Sequence, residues 1–180
     1  MIRYRNFIIA IAGVLIIGGC TGKTTSSNIN EPASDARTTA FDGSLYLDDA
    51  HAIVPGTITN VASEAEQGDN TSHVVVSVSP PTGGTVSVVF DAGQHIVSGI
   101  YGESATADAS VEPGPYFIPL SLAMDLARRE VNGKVMRWSF ERSAIDNVWT
   151  YRVEIRDSLG LRHEIILNAI SKSILSASTL

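Results

Sequence analysis

Apolar and polar residues alternate most cleanly in the second half of the chain. Trp149, Tyr151, Val153 and Ile155 fall on one face of a segment ending at Arg156, and Leu161, His163, Ile165 and Leu167 on one face of the next. Period-two alternation of this kind predicts strands with one buried face. Asp157 to Gly160 supplies the polar turn of a hairpin between them. A further strand is predicted over Lys134 to Arg142, with Met136, Trp138 and Phe140 on one face and Val135, Arg137 and Ser139 on the other. Upstream of it the period lengthens: Ser121 is placed to cap LAMDLARREV, in which Leu122, Ala123, Leu126 and Ala127 share a helical face, with Asn132 and Gly133 as the stop.

The first half carries a fainter version of the same order. LYLDDAHAIV predicts a short helix, with Asp48 and Asp49 near the start, where carboxylates suit the helix dipole. Val74, Val76 and Val78, then Val86, Val88 and Phe90, mark the inward positions of two strands joined by a turn containing Pro80, Pro81, Gly83 and Gly84. Gly99 to Pro119 is punctuated by Gly and Pro and predicts a connecting loop. Shifting the sequence by 77 aligns the halves: Leu45 meets Leu122, Asp48 meets Asp125, Gly56 meets Gly133, Val76 meets Val153, Gly83 meets Gly160 and Val88 meets Ile165. The expected fold class is therefore α+β, with two tandem repeats, each a short helix followed by an antiparallel β-meander packed on it. The expected boundaries are a signal over 1–19, a tether over 20–40, a first repeat over 41–100, a connecting loop over 101–119 and a second repeat over 120–180.

The helix, Gly133-Lys134-Val135, the run Trp149-Thr150-Tyr151-Arg152-Val153-Glu154-Ile155, the turn glycine, Glu164-Ile165-Ile166-Leu167-Asn168-Ala169 and the terminal Ile174-Leu175 together resemble a PepSY domain. The resemblance covers roughly 120 to 176, and 45 to 99 faintly. It implies a small helix-plus-antiparallel-sheet module of exported or membrane-anchored bacterial proteins, for which peptidase inhibition has been proposed. Asn168-Ala169 departs from the family's Asp-Ala followed by Thr-Gly, whereas Asp91-Ala92-Gly93 in the first half is nearer to it. Tandem units of this length also resemble β-lactamase-inhibitor and outer-membrane assembly lipoprotein architectures.

The amino terminus has a different grammar. Arg3 and Arg5 precede the uncharged run Phe7 to Ile17, two glycines and Cys20, the one cysteine of the chain. Basic start, apolar run and small-residue site are the parts of an export signal. The run is about half of the roughly 20 apolar residues that a spanning helix needs. Ile17-Gly18-Gly19-Cys20 is similar to the lipobox of bacterial lipoproteins, which implies a lipid-attachment site at Cys20, a membrane anchor of several acyl chains and a location facing the periplasm, on the outer membrane in a Gram-negative host. An ordinary signal peptide or short anchor with an incidental cysteine is the plainer alternative. Residues 21–40 are rich in Thr, Ser, Ala and Asn and cannot bury enough apolar area to offset their ordering entropy. As a coil they would reach roughly 25 Å.

Charge divides the chain unevenly. No Lys or Arg lies between Thr38 and Ala127, where eleven acids do, and from Arg128 onward nine bases face six acids. The net charge of −6 argues against nucleic acid as a partner. His51, His73, His95 and His163 lie far apart, no metal-ligand spacing occurs, and no serine sits in a nucleophile elbow. The expectation is therefore no enzymatic activity, no catalytic residues, no metal and no cofactor. The remaining feature is the aromatic face of Lys134 to Arg142. Met136, Trp138 and Phe140, edged by Arg137 and Arg142, are either core packing or a partner-binding patch of the aromatic-plus-arginine kind. The expected function is a lipid-anchored, non-enzymatic binding or inhibitory module for a protein or peptide partner. The alternative is a structural accessory lipoprotein of an envelope assembly complex, docking through its acidic first half.

Overall fold

The computed structural model describes residues 43–65, 72–143 and 146–180. A 3-10 turn, Gly43–Tyr46, leads into helix α1 (Leu47–Ile53), and strands β1 (Thr57–Ala65), β2 (Ser72–Ser79), β3 (Val86–Asp91) and β4 (Ile96–Glu103) follow. Helix α2 (Leu120–Glu130) then precedes β5 (Gly133–Arg142), β6 (Trp149–Asp157), β7 (Arg162–Asn168) and β8 (Ile174–Thr179). The fold is α+β: all eight strands form one antiparallel sheet in sequence order. Pairing of β4 with β5, from Gly99↔Glu141 to Glu103↔Arg137, makes it continuous across the middle.

One face of the sheet is the core. Val74, Val76 and Val78 on β2 and Val86, Val88 and Phe90 on β3 are fully buried, while the residues between them are only half-buried. Burying each such side chain contributes about 1.5–3 kcal/mol. Tyr151, Val153, Ile155, Ile165 and Leu167 continue this layer on β6 and β7. The helices cover it, α1 against β2 and α2 against β6 and β7.

Four parts of the sequence reading need correction. Helix α2 begins at Leu120 with Pro119 in the cap position, so Ser121 lies inside the helix and caps nothing. A proline fits there because its missing N–H is one the helix start leaves unpaired anyway. The fully buried face of α2 is Leu120, Ala123, Met124 and Ala127, with Leu122 and Leu126 half-buried. The helix stops at Glu130, where Val131 turns to extended backbone. Gly133 instead opens β5, and a Cβ on it would come within 2.3 Å of the Arg156 carbonyl oxygen. The chain also makes two strands that the alternation did not reveal, β4 and β8. In consequence the expected connecting loop, 101–119, begins inside β4.

The rest of that segment is tied to the core. Ala107, Ala109, Val111 and Ile118 are buried, the Glu112 amide donates to the Ile53 carbonyl of α1 (2.9 Å), and the Ile118 amide donates to Ala169 beyond β7 (2.8 Å). The Tyr151 hydroxyl donates to the Ile118 carbonyl at 2.8 Å, and burial pushes this phenol far above its ordinary pKa.

Candidate functional site

Each half of the sheet contains two β-bulges, and the one in β5 shapes a groove. Val135 pairs with Ile155 and Arg137 with Glu154, so Met136 is an extra residue between them. The insertion reverses the facing expected from strict alternation. Val135, Trp138 and Phe140 point to the core, while Met136 and Arg137 line a groove on the opposite face, away from the two described helices. The face left open between core packing and a binding patch is thereby divided. Trp138 and Phe140 are 3% and 1% exposed and present no surface to a partner. Trp138 Nε1 donates to Thr106 Oγ1 at 3.1 Å, and the Phe140 ring stacks on Trp149 at 4.7 Å. Arg142 lies at the far end of β5, where its Nε donates to the Asn147 carbonyl at 3.2 Å. Of the five candidate residues, Met136 and Arg137 line the groove.

Glu103, Met136, Arg137, Glu154, Arg156 and Arg162 line this groove of about 340 Å³. Glu154 forms its floor and is 5% exposed. Its carboxylate accepts from Arg162 Nε at 2.5 Å and from Arg137 Nε at 2.6 Å. The Arg162 hydrogen bond, followed by the charge and hydrogen bond of Arg137, holds the Glu154 carboxyl below the usual carboxylate range despite its burial. A second set lies beside it: Arg152 pairs with Glu164 at 2.9 Å and with Glu141 at 3.4 Å. Tyr101, on β4, donates weakly to Glu141 at 3.5 Å, and burial and that carboxylate push its phenol up to about 12.

Arg156 is different. It is exposed, and its strand neighbours are Lys134 on β5 and Arg162 on β7. Among the described residues no carboxylate pairs with Arg156 or with Lys134. The groove therefore has three arginines and the exposed Glu103 around a recessed carboxylate, with an apolar wall at Met136. The sequence reading missed Glu103, Glu154, Arg156 and Arg162. Arg152, Glu154 and Arg156 do recur at every second position, the signature of a charged strand face, but alternation alone does not say which charges on other strands they meet.

The histidines are dispersed. His51 is exposed on α1, and His95 stacks on Tyr46 at 5.3 Å. His73 lies in register between Glu64 and Asp91. The His163 imidazole meets Asp157 Oδ2 at 2.9 Å, and this contact is the main reason the Asp157 carboxyl lies below its ordinary range. Among the described residues no group of three or more His, Cys, Asp or Glu is placed to hold a metal ion, and no helix is long and apolar enough to cross a membrane. Cys20, the expected lipid-attachment residue, lies outside the described residues, as do the signal 1–19 and the tether 20–40.

No family model matches the chain, and no curated protein matches it. Two solved structures are similar. One is a protein of Clostridium difficile 630 described as a candidate lipoprotein, at 15% identity and a TM-score of 0.36, covering 76% of this chain and 89% of its own. The other is the YpmB protein of Bacillus subtilis, at 15% identity and a TM-score of 0.36, covering 84% of this chain and 100% of its own.

Proposed function

We propose that the chain is a lipid-anchored, non-enzymatic protein of the bacterial envelope that binds a protein or peptide partner on the open face of two tandem PepSY-like units. The observation that carries this reading is the groove: a face away from both described helices, with Arg156 lacking any carboxylate partner among the described residues, next to the flexible apolar chain of Met136. Arginine and methionine at a surface recess are the kind of pair enriched where partners dock.

Geometry 77 residues apart supports the two-unit reading. Adding 77 to the bounds of β1, β2, β3 and β4 gives 134–142, 149–156, 163–168 and 173–180, close to the bounds of β5 to β8. The irregularities follow the same shift. Thr59 and Met136 are the extra residues of β1 and β5, and Ser98 and Leu175 those of β4 and β8. Gly83 and Gly160 both take positive φ, as do His95 and Lys172. Asp91 Oδ1 accepts from the amides of Gly93 and Gln94, and Asn168 Oδ1 from those of Ile170 and Ser171. Register and turn chemistry are set locally, so their joint recurrence supports duplication of one unit.

The anchor rests on Ile17-Gly18-Gly19-Cys20 behind its apolar run. It places the module on the outer side of a membrane, in the periplasm of a Gram-negative host. Palmitate labelling of the wild type, lost in Cys20→Ser and altered by globomycin, is the expected result. An unlabelled, fully soluble product removes the anchor from the proposal.

The binding face is tested by a photo-crosslinking residue at Met136 or at the exposed Lys134, compared with one at Tyr116, which is exposed on the connecting segment. Adducts from β5 and none from Tyr116 are expected in the native envelope. Absence of adducts from both β5 positions overturns the binding reading.

A further inference from the structure

We infer that the groove binds the carboxylates of an acidic peptide segment, with Arg156 as the anchoring cation. This inference rests on the two-unit binding reading above and names the chemistry of its partner.

The first argument is the cost of the cations in isolation. Lys134, Arg156 and Arg162 are successive cross-strand partners on β5, β6 and β7. Like charges directly opposite each other, with Cβ atoms about 4.5–5.5 Å apart, are destabilising. Arg162 is relieved by Glu154, but among the described residues nothing relieves Lys134 or Arg156. An incoming carboxylate would offset that repulsion.

The second argument is internal to the chain. The positions 77 residues before Lys134, Met136, Arg137, Glu154, Arg156 and Arg162 are Thr57, Thr59, Asn60, Ser77, Ser79 and Thr85. Thr57 pairs with Ser79 as Lys134 pairs with Arg156, and a Cβ on Gly56 would meet the Ser79 carbonyl as one on Gly133 would meet that of Arg156. The same frame is thus built at the other end of the sheet with small neutral side chains. The pairing does not require the charges of the second unit.

The third argument is pre-organisation. Glu154 holds Arg162 through both Nε and Nη2 and Arg137 through Nε, leaving further guanidinium donors of Arg137 for a ligand. A guanidinium already held in place loses less freedom on binding and recognises carboxylate through its planar fork. The groove's volume suits a few side chains.

The test uses the full chain in non-ionic detergent and a fluorescein-labelled peptide carrying several Glu residues, with its Gln counterpart as reference. Fluorescence anisotropy at about 0.01 M and about 0.15 M salt, Debye lengths of about 30 and 8 Å, separates close from long-range attraction. The Glu peptide is expected to bind at both, the Gln peptide about tenfold more weakly, and Arg156→Gln to lose about tenfold. Lys134→Gln should lose a smaller factor. Arg129→Gln removes the same charge from the exposed side of α2 and should bind within about twofold of wild type. Equal losses in Arg156→Gln and Arg129→Gln, equal binding of the two peptides, displacement by inorganic phosphate at equimolar peptide, or preferential binding to phosphatidylglycerol vesicles would each overturn the inference. If β5 crosslinks form while the Glu peptide fails, the carboxylate chemistry is wrong and the binding face stands; without crosslinks, both fall.

Discussion

Trp138 lies directly across the β4–β5 ladder from Gly102, and its indole occupies the space a side chain there would need. A Cβ on Gly102 would come within 2.5 Å of the ring and 2.3 Å of Thr106 Oγ1, the acceptor of the indole N–H. The contact sits where the two halves of the sheet join, so it locks β4, β5 and the Ser104–Thr106 turn together.

Gly102→Ala is therefore expected to destabilise the protein by about 1–3 kcal/mol through forced overpacking. Urea unfolding followed by tryptophan fluorescence measures it, and the native emission should shift as the indole is displaced. An unchanged midpoint would mean that the ring is not held against the strand.

Tyr151→Phe removes the hydroxyl that donates to Ile118 and strands a buried carbonyl. The expected loss is about 1–3 kcal/mol. Hydrogen exchange should rise first in residues 107–118, because this bond ties the connecting segment to the sheet. Uniform destabilisation without that local change contradicts the assignment.

Glu154 gives a pH signature. Its carboxyl lies below the usual range in the folded chain, chiefly through Arg162. The folded state thus binds this proton less readily than the unfolded state. Its stabilisation is complete above the ordinary carboxylate range and is lost as pH falls through the depressed value. At neutral pH, Glu154→Gln should cost about 1–2 kcal/mol, moderated because Arg137 and Arg162 can turn towards water. The gap from wild type should close as unfolding is measured at progressively lower pH. A gap that is constant down to about pH 2 removes the ion pairs as its source.

Arg156→Gln should leave stability within about 0.5 kcal/mol of wild type, or raise it slightly at low salt by removing a like-charge neighbour of Lys134 and Arg162. A loss above about 2 kcal/mol would show that the guanidinium serves the fold.

The strands with strict alternation were legible because one buried face imposes its period on the sequence. Val74, Val76 and Val78 needed no partner to be recognised, and the same holds for Tyr151, Val153 and Ile155. Strand β4 was hidden by Gly99 and Gly102, residues that normally weaken a strand. Here Gly99 leaves room for the ring of Tyr101 on its own strand, and Gly102 for that of Trp138 on β5, a need visible only once the neighbouring strand is in place. Strand β8 was hidden for another reason: all six of its residues are exposed, so burial wrote no pattern into it.

By itself, then, the sequence determined the α+β class, the inward valines, the turns at Gly83 and Gly160 and the 77-residue correspondence, all consequences of local periodicity and backbone preference. Tertiary structure decided which side of β5 each residue took. One extra residue at Met136 put Val135 in the core with Trp138 and Phe140 and left Met136 and Arg137 beside Glu154, Arg156 and Arg162, because register is settled between strands and not along one.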